Sequence, residues 1–235
     1  TVRGESVDVR SAVKLHLKDS GGAGAARSGG MPVTLDLEVG AMTGFHGETL
    51  RNVKLSYSGS GSRIDRLELS ATTSNGRPVA YSDIREGDSR KVSMQSSDAG
   101  AVLRFLDIYQ HMEGGSIDLA LEGSSDGPLS GSVDARDFWI VNEPRLSSIV
   151  STPPQGDGRS LNQAVRGEID ASRVHFERGF SRIVKGAGSL ELASGILRGP
   201  MIGMSFQGML YDAQGNMALT GTFMPAYGLN RIFGE

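Results

Sequence analysis

The sequence predicts a mainly β protein: a long antiparallel β-sheet with two or three short helices. Three observations predict it. Apolar and polar residues alternate with a period of two over much of the chain, which gives each strand one apolar and one wet face. Gly, Ser, Asn and Asp cluster between the alternating runs at the close spacing of hairpin turns. Glycine alone makes up 33 of the 235 residues, roughly twice ordinary usage.

The strands follow in order. A short alternating pattern runs over Val7–Leu17. Val33, Leu35, Leu37 and Val39 then alternate with Thr34, Asp36 and Glu38, and shorter runs cover Val53–Tyr57, Ile64–Leu69 and Val92–Met94. Ile117, Leu119 and Leu121 alternate with Asp118, Ala120 and Glu122, and Leu129–Ala135 and Leu190–Leu192 continue the meander. Ile202, Met204, Phe206 and Leu210 alternate with Gly203, Ser205 and Gln207, and Met217, Leu219 and Phe223 close the series. Turns are expected at Ser58–Ser62, Ser74–Gly76, Ser124–Gly127 and Gln214–Asn216.

Helices are few. Asp98 is placed to cap a helix that carries Val102, Phe105, Leu106 and Tyr109 on one face. A second starts at Asn142-Glu143-Pro144, with Pro in its first turn and Leu146, Ile149 and Val150 inward, and ends before Pro153-Pro154. A weaker third starts at Ser160 with Leu161, Ala164 and Val165. Gly21–Gly30 and Ser151–Ser160 have linker composition. The organisation expected is a meander over 1–100 that continues a longer repetitive sheet, then a region over 101–235 that carries the helices, with 151–160 linker-like and the whole one structural unit. The chain opens at Thr1 and stops at Glu235 just after an apolar segment begins, and so reads as a piece of a longer polypeptide.

Composition excludes several classes. A net charge of −3 offers phosphate backbones nothing, so no nucleic-acid partner is expected. The absence of cysteine removes disulfides, thiolate zinc sites and cysteine nucleophiles together. The longest apolar run, Phe138–Val141, is far too short for a transmembrane helix, and Trp139 within it reads as core at a strand end. His16, His46, His111 and His175 stand apart without metal-ligand spacing, and no nucleophile elbow, P-loop or EF-hand loop is present. Most carboxylates alternate with apolar residues and belong to the wet face, as Asp36, Glu38, Asp118 and Glu122 do. Arg173, Arg178, Arg182 and Lys185 read as a solvated basic face, with contact to lipid headgroups as the alternative. No catalytic residue, metal ligand or cofactor is expected.

What remains is a packing problem. Two or three short helices cannot cover the apolar face of a meander of about ten strands. A second sheet, closure into a barrel, or an apolar ligand must do so. The lining candidates are Ile117, Leu119, Leu121, Leu190, Leu192, Ile202, Met204, Phe206, Leu219 and Phe223. This lining is aliphatic and poor in the Trp and Tyr on which sugars stack, which favours flexible acyl chains over carbohydrate.

Three C-terminal stretches carry a family resemblance: Gly186–Leu197, Gly199–Gly208 and Leu219–Asn230, the last containing Gly221-Thr222-Phe223-Met224-Pro225-Ala226-Tyr227-Gly228-Leu229-Asn230. They resemble the C-terminal region of AsmA-like proteins, most of all the large YhdP-type members. There a glycine-spaced strand pair leads to a Gly-Thr-hydrophobic-x-Pro-x-Tyr-x-Leu-Asn motif and an apolar tail. Ala101–Val150 resembles the preceding family region, and the first hundred residues resemble it in style. The resemblance implies a Gram-negative envelope protein, a bridge-like lipid transfer protein held in the inner membrane by a segment absent from this chain. It would extend through the periplasm as a long curved antiparallel β-sheet, a groove or taco-like trough that conducts phospholipid between inner and outer membrane. The partners implied are phospholipid acyl chains and, through regions outside this chain, the two membranes. A scaffold for outer-membrane biogenesis is the alternative reading, and a periplasmic hydrolase or carbohydrate-binding module a third.

Overall fold

The structure, a computed structural model, describes residues 1–19, 30–61, 63–151, 170–212, 214 and 216–224. Its strands are β1 (Val2–Asp8), β2 (Pro32–Thr43), β3 (Thr49–Ser60), β4 (Arg63–Thr72), β5 (Pro78–Glu86) and β6 (Ser89–Ser96), followed by β7 (Met112–Ser124), β8 (Leu129–Val141), β9 (Arg173–Gly186), β10 (Ser189–Arg198), β11 (Gly203–Tyr211) and β12 (Ala218–Met224). All twelve join one sheet in the order of the chain. Every neighbouring pair is antiparallel except β1 and β2, which run parallel. The sheet is open and curved, with β1 and β12 as its edges.

Cross-strand partners share a face, so the register sorts the side chains directly. One row runs Leu37, Leu55, Leu69, Tyr81, Met94, Leu119, Val133, Ser181, Gly195, Phe206 and Gly221, from β2 to β12. A row on the opposite face runs Ser70, Ala80, Gln95, Asp118, Asp134 and Phe180. The first face is apolar and the second polar, as strict period-two alternation requires.

Near one end of the strands the alternation breaks in register. Asn52 on β3, Gly114 and Gly115 on β7 and Asp137 on β8 all have positive φ, the left-handed conformation of a bulge. The extra residue turns Leu50, Met112, Phe138 and Ile140 to the buried side. There they meet α2 (Ala99–Phe105), capped by the Asp98 carboxylate, which accepts from the Ala101 amide at 3.1 Å. Ala99, Val102 and Phe105 enter the same core as Val39, Val53, Met94, Ile117 and Phe176. α3 (Pro144–Ser151) adds Leu146 and Val150, and the Tyr109 hydroxyl donates to Glu143 at 2.8 Å, tying the end of one helix to the start of the next.

The structure differs from the sequence reading in several places. Val7–Leu17 is not one strand: β1 stops at Asp8, whose carboxylate accepts from the Arg10 amide at 3.1 Å, and α1 (Arg10–Asp19) follows. Val9 and Val13, four residues apart, then pack together on the core, so the helical period prevails over the alternating one. β5 and β9 complete the sheet where no strand was read. Trp139 is not core. It is 37% exposed, with the Arg173 guanidinium 4.8 Å from its ring and the His175 ring at 4.7 Å. The helix expected from Ser160 and most of both linker-like stretches lie outside the described residues.

Candidate functional site

The apolar face is best followed as parallel rows crossing the sheet. Nearest the helices lies Val79, Ser96, Ile117, Ala135, Gly179, Leu197, Met204 and Phe223. Next comes the row through Tyr81, Met94, Leu119 and Phe206, and then Asp83, Val92, Leu121, Gly131, Ile183, Leu192, Gly208 and Leu219. The fourth row is Arg85, Arg90, Gly123, Leu129, Lys185, Leu190 and Tyr211.

Nine of the ten residues read as lining therefore lie on one face. Ile117, Leu121 and Leu192 are buried, while Leu119, Leu190, Met204, Phe206 and Phe223 are half-buried. Leu219, on the edge strand, is 39% exposed. Ile202 stands apart: it lies in the turn between β10 and β11, with no exposed surface, inside the helix-covered core. The face also includes Leu37, Leu55, Leu69, Tyr81, Val92, Met94, Ile183 and Leu197, which the sequence reading did not count as lining. For Leu37, Leu55, Leu69, Val92 and Met94 the signal was present in the alternating runs at Val33–Val39, Val53–Tyr57, Ile64–Leu69 and Val92–Met94; Tyr81 and Ile183 lie on β5 and β9, where no strand is read from the sequence.

The two halves of this face are covered differently. Toward the helices, α2 and α3 cap it. Farther away, Val92, Leu121, Leu129, Ile183 and Leu192 form a second apolar cluster, completed by Tyr81, Leu119, Val133, Leu190, Phe206 and Leu210. All of these are strand residues of the one sheet. Among the described residues no helix and no second sheet lies over this cluster, and the inward curl of the strands is its only shield.

Small residues permit that curl. The Phe206 ring occupies the place a Cβ on Gly195 would take, and a Cβ on Gly179 would come within 2.9 Å of Leu197 Cδ2. The second cluster also borders charge. Asp83, with no exposed surface, accepts from Arg90 Nε at 2.8 Å and Nη2 at 2.6 Å. Burial, and then the Asp83 charge, raise the pKa of the neighbouring Tyr81 phenol above its ordinary value. Lys185 is 9% exposed on the same face. The basic cluster of the sequence reading is thus divided: Arg178 points to the polar face and bonds Asp134 at 2.5 Å, whereas Lys185 points inward.

The polar face carries two hollows, of about 840 and 880 Å³. The first is lined by Gln95, Asp118, Asp134, Arg136 and Phe180 among others, the second by Lys91, Glu122, Ser130 and Arg182. Their charges answer one another, as Gln95 donating to Asp118 and Arg136 to Asp134 show. That arrangement offers no nucleophile with an adjacent base. The histidines are equally dispersed: His46 bonds Asp107 at 2.7 Å, His175 bonds Asp137 at 3.1 Å, and His111 Nδ1 lies 3.0 Å from the Val141 carbonyl. Among the described residues no group of His, Asp and Glu is arranged to hold a metal ion, and no helix is long and apolar enough to cross a membrane.

Comparison with protein-family models, curated proteins and solved structures finds no match.

Proposed function

We propose that this chain is a non-enzymatic segment of an envelope lipid transfer protein, whose apolar β-groove conducts phospholipid between inner and outer membrane. One observation carries the reading: the apolar cluster around Val92, Leu121, Ile183 and Leu192 has neither helix nor second sheet over it among the described residues. On the same face Leu119, Leu190 and Phe206 are only half-buried and Leu219 is exposed; apolar surface left in water costs about 25 cal/mol per Å², which favours an apolar occupant. Acyl chains suit it, being flexible enough to follow a curved aliphatic surface. The resemblance to AsmA-like proteins supports the same reading and adds a periplasmic location, with anchorage in the inner membrane through a segment outside this chain.

The test is whether the purified chain carries lipid. Native mass spectrometry after gentle purification is expected to show co-purified phospholipid released by mild activation. A lipid-free chain that also takes up no phospholipid from micelles would overturn the proposal and favour the scaffold reading.

A further inference from the structure

We propose that the end of the trough remote from α2 is a headgroup site, where Lys185 holds the phosphate of a glycerophospholipid whose tails lie along Val92, Leu121 and Leu192. The inference rests on the trough reading and adds to it a polar recognition element and an orientation for the lipid.

The fourth row of the apolar face supplies the argument. Arg85 and Arg90 are directly paired across β5 and β6, Gly123 contributes no side chain, and Lys185 follows one strand beyond Leu129. Three cations thus share one face at one level. Arg90 is answered by Asp83. Arg85 reaches the Ser125 carbonyl and the exposed carboxylate of Asp126, while its Nε is buried with no hydrogen-bond partner. Lys185 donates to the Gly186 carbonyl at 3.2 Å and lies 5.6 Å from the Tyr211 ring, and among the described residues no carboxylate pairs with it.

A nearly buried ammonium without a counter-ion is costly, because removing a charge from water is repaid only by a partner. Burial lowers the Lys185 pKa, and the Arg90 charge lowers it further. A phosphodiester answers that deficit, offering the ammonium an anionic partner. The aliphatic row of Val92, Leu121 and Leu192 is immediately adjacent, where the tails of such a lipid would begin.

The test uses the full chain, stripped of lipid and incubated with mixed micelles holding equal amounts of dioleoyl phosphatidylglycerol and dioleoylglycerol. Retained lipid is then measured by mass spectrometry. The wild-type chain is expected to prefer the phospholipid by about tenfold or more, the range of a charge-assisted hydrogen bond. Lys185→Met is expected to bring the ratio near one while total lipid stays constant. Its fold is checked by thermal melting, which should hold or rise because an apolar side chain replaces a buried charge. Equal retention of both lipids by the wild type overturns the headgroup site and leaves the trough standing. Retention of neither overturns both. If inorganic phosphate alone raises the melting temperature as much as phosphatidylglycerol, in a Lys185-dependent way, the site belongs to a free anion and the proposal fails.

Discussion

Asp83 and Arg90 meet diagonally across the β5–β6 hairpin, two guanidinium nitrogens to two carboxylate oxygens at 2.8 and 2.6 Å, on a face built mostly from apolar side chains. Such a pair compensates for its own desolvation only while both members are present. Removing one leaves a bare charge in the sheet. Asp83→Asn and Arg90→Met are each expected to cost about 3–5 kcal/mol, measured by urea denaturation. The double variant Asp83→Leu/Arg90→Met is expected to lose much less than the sum. Additive losses would show that the two side chains are energetically independent.

The Asp98 cap fixes the helix that covers half the trough. Its carboxylate accepts from the Ala101 amide and from the Asn75 side chain at 3.1 Å each, and so also ties the β4–β5 turn to α2. Asp98→Ala is expected to cost about 1–2 kcal/mol, and Asp98→Asn or Asp98→Ser to restore much of it. A variant as stable as wild type would mean that packing of Val102 and Phe105 alone places the helix.

Legibility in the sequence followed the regularity of the strands. β2 over Val33–Val39 and β7 over Ile117–Leu121 alternate without interruption, so their wet and apolar faces could be read residue by residue. β9 could not. The alternation changes phase between Phe176 and Gly179, opposite the Asp137 bulge, so Phe176, Gly179, Ser181 and Ile183 point inward while the apolar Phe180 and Val184 point out. β5 escaped for a different reason, since its inward residues include Asp83 and Arg85, which belong to the wet face by pattern alone. The charged row was invisible for the same reason: Lys185 has an inward position only after β9 is placed in register against Leu129. Trp139 misled because Phe138 and Ile140, its neighbours in the run, do point to the core.

Alkaline pH is expected to loosen the fold. Burial and the Asp83 charge raise the Tyr81 pKa, burial and the Glu143 hydrogen bond raise that of Tyr109, and burial raises that of Tyr211. An acid whose folded pKa is raised contributes stability in full below its unfolded value, about 10 for a phenol. That contribution is lost as pH rises above it, because the unfolded chain then releases protons that the folded one retains. Absorbance titration should show a late phenolate step coincident with loss of the strand signal in circular dichroism. Ionisation of every tyrosine in one ordinary step, with the sheet intact, would refute it.

The curl of the sheet is tested at Gly195. Ring atoms of Phe206 fill the space where a Cβ would sit, so Gly195→Ala forces either the ring or the strand to move. The expected cost is about 1–3 kcal/mol, as for other overpacked positions. Phe206→Leu clears part of that space, so the pair should be non-additive, with Gly195→Ala milder in the Phe206→Leu background. Equal cost in both backgrounds would place the penalty in backbone conformation, not in the ring.

Charge introduced on the apolar face separates a lipid-bearing trough from an ordinary interior. Leu219 is 39% exposed on the edge strand, so Leu219→Asp should leave the melting temperature almost unchanged, within the usual range of about ±0.5 kcal/mol for surface sites. Leu192→Asp and Met204→Asp, deeper on the same face, place a carboxylate among aliphatic side chains and are expected to lower stability and abolish phospholipid retention. The discriminating variant is the edge one. In a closed interior Leu219→Asp changes nothing, whereas in a conduit continuing to β12 it cuts retained phospholipid while the fold stays intact, because acyl chains crossing that row meet a charge. Full retention by folded Leu192→Asp or Met204→Asp would show that lipid lies elsewhere.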